Sequence, residues 1–134
     1  MRPMMFSPLS FMRLLLSAVA ALTCSAAWAA PTSAPVRAEI DGLLVRLQTS
    51  GCAFSRNGTW YSGAEAQTHL LRKLGYIERR GTVQSTEQFI ELAAAQSSST
   101  GQPYQVKCGN ATAVPSQQWL NQQLGLMRAA KSKP

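Results

Sequence analysis

The cysteines Cys52 and Cys108 constrain the fold of this chain more than any other feature of its sequence. They lie 56 positions apart (108 − 52 = 56), which rules out a local metal knuckle, because such sites space neighbouring ligands about two to four positions apart. The third cysteine, Cys24, lies in an N-terminal segment that we expect to be removed. In an oxidising compartment the remaining two are expected to form one disulfide, joining the front of the domain to its back.

The N-terminal segment has the pattern of a secretory signal peptide. Arg2 and Arg13 precede the apolar run Leu14–Leu22, and Ala27-Trp28-Ala29 forms a small-residue cleavage site. The run is shorter than the ~20 residues that a membrane-spanning helix needs, and no second apolar stretch follows it. We therefore predict that residues 1–29 are a signal peptide and that the mature chain, cleaved near Ala29, is periplasmic or secreted and has no transmembrane segment.

A lipid anchor on Cys24 is an alternative to cleavage near Ala29. Acylation requires a very small residue immediately before the cysteine, whereas Thr23 occupies that position. Such an anchor would attach the chain to a membrane and leave its fold unchanged.

Cleavage after Ala29 would leave 105 residues (134 − 29 = 105) and lower the formal net charge from +7 to +5. This length predicts a single compact domain. Moderate basicity outside the cytosol argues against nucleic acid as a partner. An anionic envelope component, such as acidic lipid or cell-wall carboxylates, or another envelope protein, stays open as a partner, while solubility alone is the favoured explanation of the charge.

Apolar residues at helical spacing predict four helices within a domain over residues 37–130, after a flexible linker at 30–36 and before a frayed tail at 131–134. Two of the helices begin with capping boxes, at Ser62 with Glu65 and at Ser85 with Gln88. The predicted helices and their inward residues are Arg37–Thr49 (Ile40, Leu43, Leu44, Leu47), Ser62 to about Arg80 (Ala66, Leu70, Leu71, Leu74, Ile77), a helix from Ser85 (Phe89, Ile90, Ala93, Ala94) and Ser116–Arg128 (Trp119, Leu120, Leu124, Met127).

A small antiparallel sheet is predicted to complete an α+β fold. Asn57 and Gly58 tolerate positive φ, so they are expected to form the tight turn of a hairpin between Cys52–Phe54 and Thr59–Tyr61. Tyr104–Cys108 alternates as a strand does, and its cysteine must reach Cys52. The sequence therefore predicts four helices packed on a sheet of one hairpin and one further strand, tied by one disulfide.

These segments resemble a known family. Three segments carry the resemblance, in this order: FSRNGTWYSGAEAQTHLLRK, STEQFIELAAAQSSSTGQPYQVKC and PSQQWL. The chain resembles the small exported bacterial proteins of domain of unknown function 5329, the YfeK-like proteins. The recurring features are Phe54, Arg56-Asn57-Gly58, Tyr61, Glu65-Ala66, His69-Leu70, Lys73, the exit at Thr100–Tyr104 and both cysteines; Thr100 stands where the family has serine. The resemblance covers about Ala38–Leu124 and implies a bacterial envelope setting but no activity.

The single histidine gives the strongest candidate site. Glu65, His69 and Lys73 are spaced four residues apart, so they share one ridge of the predicted second helix. In a structural interpretation Glu65 caps the helix and His69 packs against the hairpin, bonded to Tyr61 or a backbone carbonyl. In a binding interpretation Arg56, His69 and Lys73 hold an anionic group.

No complete catalytic or metal-binding set accompanies this ridge, so we predict no cofactor, no metal and no catalytic residue. A non-catalytic binding or accessory protein of the bacterial cell envelope is the favoured interpretation. Two alternatives stay open. One is a small inhibitor of an external hydrolase that presents the loop Ser97–Pro103, and the other is a small hydrolase that uses His69 with a serine of Ser97–Ser99.

Overall fold

The computed structural model describes residues 31–134, so the predicted signal peptide and Cys24 lie outside the described residues. The described part contains four helices and four strands, which confirms the α+β class. In chain order they are α1 (Ala34–Thr49), β1 (Ala53–Arg56), β2 (Thr59–Tyr61), α2 (Gly63–Glu78), α3 (Thr86–Ala93), β3 (Gln105–Lys107), β4 (Val114–Pro115) and α4 (Ser116–Lys131).

The strands form one antiparallel sheet in the order β2-β1-β3-β4. Arg56 pairs with Thr59, so a two-residue Asn57-Gly58 turn closes the hairpin, as the sequence predicts. The predicted third strand pairs with β1, and Phe54 lies opposite Val106. The sequence does not predict β4, because two residues give no alternation and Pro115 has no N–H to donate to a ladder.

A disulfide joins Cys52 to Cys108, with an S–S distance of 2.00 Å. The bond lies directly beside the Ala53–Lys107 pair of the β1–β3 ladder. It therefore fastens the central strands of the sheet, and the predicted link between the front and the back of the domain is confirmed.

The helices turn their predicted apolar faces into one core that they share with this sheet. All four predicted residues of α1 are fully buried, and Leu70, Leu74, Phe89 and Ile90 join them in a single core. Leu71, Ile77 and Met127 are only partly buried at its edge. The helical period thus identifies the core, because three- and four-residue spacing brings apolar side chains onto one face.

The linker predicted over residues 30–36 is wrong for residues 34–36, which form the first turn of α1. Pro35 lies in that turn, where the missing N–H costs nothing and the fixed φ suits a helix. Thr32, just before the helix, is buried and donates a 2.9 Å hydrogen bond to Glu78. At the other end α4 continues to Lys131, so the exposed tail begins at Ser132.

Ion pairs link the helices to one another. Arg128 of α4 pairs with Glu39 of α1 at 2.8 Å and with Glu87 of α3. The hydrogen bond from Arg128, assisted by Thr86, lowers the pKa of Glu39 to about 2. Arg37 pairs with Asp41 at 3.1 Å and with Glu78 at 3.4 Å. None of the helices over residues 31–134 is long and apolar enough to cross a membrane.

Candidate functional site

The hairpin turn is fixed to the loop that follows α3. Asn57 and Gly58 have φ values of 50° and 80°, which an Asn-Gly turn accommodates at little cost. The side chain of Asn57 donates to Ser97 Oγ at 3.3 Å and accepts from Thr100 Oγ1 at 2.7 Å. These bonds hold the end of β1, and with it Arg56, beside the loop that follows α3.

The capping box at the start of α2 fixes the orientation of its side chains. The Ser62 hydroxyl accepts from the Glu65 amide at 3.2 Å, and the Glu65 carboxylate accepts from the Ser62 amide at 2.8 Å. Glu65 is thereby committed to the helix end, as the structural interpretation predicts. His69 and Lys73 follow one and two turns later on the same face of the helix.

The second predicted box is only half formed. Ser85 accepts from the Gln88 amide at 3.0 Å, as expected. The Gln88 side chain instead accepts from the backbone N–H of Gln84, at 2.7 Å.

Four side chains form an inner network, which comprises Arg56, His69, Lys73 and Tyr104. Arg56 Nη1 lies 2.6 Å from His69 Nδ1 and 3.4 Å from Nε2. A guanidinium only donates, so Nδ1 must accept, and a neutral ring then carries its proton on Nε2. His69 Nε2 lies 3.1 Å from the Tyr104 hydroxyl, which also accepts from Lys73 Nζ at 3.2 Å.

Tyr104 anchors this network in the core. Its ring is 1% exposed, and its centroid lies 5.1 Å from that of Phe54. Lys73 Nζ lies 4.9 Å from the Tyr104 centroid and also donates to the Gln96 carbonyl oxygen at 3.0 Å. The inner network is therefore a rigid polar floor, held on one side by the apolar core.

The network keeps His69 neutral. Burial, followed by the charges of Arg56, Lys73 and Arg72, lowers the pKa of His69 to about 4. Burial and the charge of Arg56 also lower the pKa of Lys73. Burial raises the pKa of Tyr104, against the opposing effect of Arg56. The pKa values of His69 and Lys73 shift in the same direction, because burial penalises the charged form of each and the charge of Arg56 adds to that effect.

We expect the free energy of unfolding to fall by about 1–2 kcal/mol as the pH is lowered from 6.5 to 4, a value reduced for solvent screening of the half-buried ring. The folded-state pKa of His69 is about 4 against an ordinary 6.5, so its contribution is complete above 6.5 and lost as pH falls towards 4. Denaturant unfolding at stepped pH measures it. His69→Gln is expected to reduce the pH dependence of the free energy of unfolding between pH 6.5 and 4, because the chain has no other histidine. An unchanged pH dependence in that variant would contradict the assignment.

A groove of about 990 Å³ lies over the inner network, between α2, the hairpin turn and the loop after α3. Five cationic side chains line it: Arg56, Arg72, Lys73, Arg79 and Arg80. No carboxylate of the described residues belongs to its lining. We call this surface the cationic groove. A smaller cavity of about 250 Å³ adjoins it beside Arg56 and His69 and includes Glu65.

Five of the six acidic side chains have partners outside the groove lining. Glu39, Asp41, Glu78 and Glu87 pair with Arg37 or Arg128, and Glu65 caps α2. Within residues 31–134 the ion pairs involve no cation of the cationic groove. The groove therefore carries a concentrated positive charge without internal counterions.

The structure brings Arg56, His69 and Lys73 together, as the binding interpretation requires. The expected partner of His69 is wrong, because its ring contacts Tyr104, whereas Tyr61 accepts a 3.4 Å bond from Arg56. The sequence does not identify Tyr104 as a site residue, since its strand position gives no sign that it reaches α2. The sequence does contain one sign of the groove rim, namely the two adjacent arginines Arg79 and Arg80 just after the end of α2.

The alternative of a hydrolase that uses His69 with a serine gains no support from these contacts. The nitrogens of His69 face Arg56 and Tyr104 rather than a serine hydroxyl. Ser97 is buried and bonded to Asn57 and Ser99. Over residues 31–134 no group of three or more His, Cys, Asp or Glu side chains is arranged to hold a metal ion.

Comparison with known proteins assigns the family. The family described as "Family of unknown function (DUF5329)" matches residues 34–128, from the start of α1 to Arg128 of α4. The chain belongs to this family. The match spans both cysteines and the whole cationic groove, so the resemblance inferred from the sequence motifs is confirmed.

One relative of this DUF5329 chain is the uncharacterized protein YfeK of Salmonella typhimurium. It is 38% identical over 93 residues, which cover 69% of this chain and 75% of YfeK. No solved structure matches the chain.

Proposed function

We propose that this chain is an exported protein of the bacterial envelope that binds an anionic ligand in the cationic groove and catalyses no reaction. The observation that carries the proposal is the groove lining, which holds five cations and, among the described residues, no carboxylate. Such a lining attracts anions by its field and by charge-assisted hydrogen bonds.

The distribution of charge across the domain supports this proposal. Four of the six carboxylates pair with Arg37 or Arg128, neither of which lines the groove. Like charges that lie close together repel one another, so a groove with several unbalanced cations lowers the stability of the free protein. An anion bound there relieves that repulsion, which makes the binding free energy more favourable.

The inner network has the role of a support in this proposal. Neutral His69 accepts from Arg56 and so orients a guanidinium without adding a further positive charge. Lys73 is held by Gln96 and Tyr104, which fixes its ammonium group at the groove floor. Preoriented donors lose little conformational entropy when an anion binds.

The engagement of these groups also supports binding rather than catalysis. A general base needs a nitrogen free to accept a proton from a substrate or nucleophile. His69 Nδ1 accepts from Arg56, and Nε2 faces Tyr104. The low pKa of the ring, about 4, further disfavours proton uptake at neutral pH.

The proposed location follows from the N-terminal pattern of residues 1–29 and from the disulfide. A Cys52–Cys108 bond persists in oxidising compartments and is rare in the cytosol. An anionic envelope component, or an acidic patch on another envelope protein, is the partner that this setting offers.

The test neutralises the exposed rim and leaves the inner network intact. The variant Arg72→Gln, Arg79→Gln, Arg80→Gln removes three groove cations. The control Lys107→Gln, Lys131→Gln, Lys133→Gln removes three exposed cations outside the groove, so both proteins have the same net charge. Binding of inorganic pyrophosphate by isothermal titration calorimetry is the readout.

We expect the groove variant to bind pyrophosphate at least about tenfold more weakly than the wild type, because each exposed charge contact contributes about 0.5 kcal/mol or more. The control is expected to bind within about twofold of the wild type, a difference that reflects net charge alone. Equal losses in both variants, or no binding by the wild type, would contradict the proposal.

A further inference from the structure

The cationic groove has an apolar wall that simple anions do not use. Tyr76 on α2 and Leu92 on α3 line the groove, and each is 49% exposed. Ile77, partly buried at the edge of the core, continues this wall. The other large exposed apolar side chains of the described residues, Val45, Trp60 and Leu126, lie outside the groove.

The apolar wall lies between two groups of cations. Lys73 precedes Tyr76 by three residues of α2, a rise of about 4.5 Å. Beyond it, the Arg79 and Arg80 guanidinium carbons lie 5.7 Å and 4.5 Å from the Tyr76 ring centroid. Along α2, Tyr76 therefore lies between the inner cation Lys73 and the rim arginines.

The size of the groove also exceeds what an inorganic anion fills. Its volume of about 990 Å³ lies at the upper end of the range that small organic ligands occupy, roughly 300–1,000 Å³. A phosphate group satisfies the cations and leaves the wall in contact with water. A hydrocarbon chain attached to that phosphate removes apolar surface from water on both partners.

We propose that the cationic groove binds a phosphate ester that bears a hydrocarbon chain, with the phosphate at the cations and the first chain carbons across Tyr76 and Leu92. This proposal rests on the proposed function, because it uses the same cations. It adds the class of ligand. A phospholipid and an isoprenoid phosphate share this chemistry, and the experiment separates them.

The experiment compares three soluble probes on the full mature protein: glycerol 3-phosphate, dihexanoylphosphatidylglycerol below its micelle concentration, and geranyl phosphate. At least one of the two chain-bearing probes is expected to bind about tenfold or more tightly than glycerol 3-phosphate, since each methylene removed from water contributes severalfold in affinity. A gain with the first alone identifies a phospholipid, and a gain with the second alone identifies an isoprenoid phosphate.

The variant Leu92→Ser tests where the chain lies. It is expected to remove most of the chain-dependent gain while leaving the affinity for glycerol 3-phosphate within about twofold. Leu126→Ser is the matched control, because Leu126 is 52% exposed and lies outside the groove. In this control the hydrocarbon chain should increase the affinity as much as it does in the wild type. Both sites are half exposed, so both variants are expected to fold, which a melting curve checks.

The outcomes distinguish this proposal from the one on which it rests. Glycerol 3-phosphate bound as tightly as both chain-bearing probes would overturn the ligand class and leave anion binding standing. A chain-dependent gain that survives Leu92→Ser would overturn the assigned position of the chain. Failure of all three probes and of pyrophosphate would overturn both proposals.

Discussion

Replacing Cys52 and Cys108 together with alanine is expected to lower the free energy of unfolding by about 4 kcal/mol. The disulfide closes a loop across a sequence separation of 56. On the chain-entropy model, a crosslink of this span lowers the conformational entropy of the unfolded chain and so stabilises the folded state by about 4 kcal/mol. Small domains unfold with about 5–15 kcal/mol, so a large share of the total would be lost.

The position of the disulfide makes the loss global rather than local. Cys52 is buried, and the bond adjoins the Ala53–Lys107 pair in the middle of the sheet. Urea unfolding of the double variant and of oxidised wild type measures the difference, and wild type treated with reductant serves as a second comparison. A difference below about 1 kcal/mol would show that the crosslink constrains the unfolded chain far less than the loop-length model requires.

The variant Gly63→Ala is expected to destabilise the domain by about 3 kcal/mol, the upper part of the range for overpacking. A Cβ at this position would overlap the Leu47 carbonyl oxygen and lie 3.0 Å from Gln48 Cα. Both are backbone atoms of α1, so no side-chain rotation can relieve the contact. The first residue of α2 must move away from the end of α1, and the capping box and core face move with it.

Gly75→Ala is the matched control in the same helix. No atom lies within 4 Å of the Cβ that it would add, and alanine in a helix interior is favoured over glycine by about 0.5–1 kcal/mol. Thermal unfolding of the two variants should therefore give shifts of opposite sign. Destabilisation by both, or by neither, would show that the close approach of α1 and α2 does not govern the Gly63 position.

The parts of this fold that were predictable are those encoded locally. The helical spacing of Ile40, Leu43, Leu44 and Leu47 identifies a buried face without reference to the rest of the chain. The Ser62–Glu65 box likewise lies within four residues, and the Asn57-Gly58 turn within two. Each depends on short-range sterics and hydrogen bonding, which a sequence pattern states directly.

The parts that escaped prediction depend on contacts between distant segments. Tyr104 reaches His69 across 35 positions, and nothing near either residue in the sequence indicates that contact. The edge strand at Val114–Pro115 forms only because β3 is already in place beside it. Clustering of Arg56 with Arg79 and Arg80 likewise requires the hairpin and the end of α2 to be brought to one groove by the packed core.

The most direct test of the central claim is to locate an anion on the protein in solution. Nitrogen-15 NMR of the arginine Nε–Hε groups during titration with pyrophosphate reports on each guanidinium separately. We expect saturable shifts at Arg72, Arg79 and Arg80, which line the cationic groove, and none at Arg46, which bonds to Gln123 outside it. Shifts of equal size at Arg46, or no shift at the three groove arginines, would contradict anion binding in the groove.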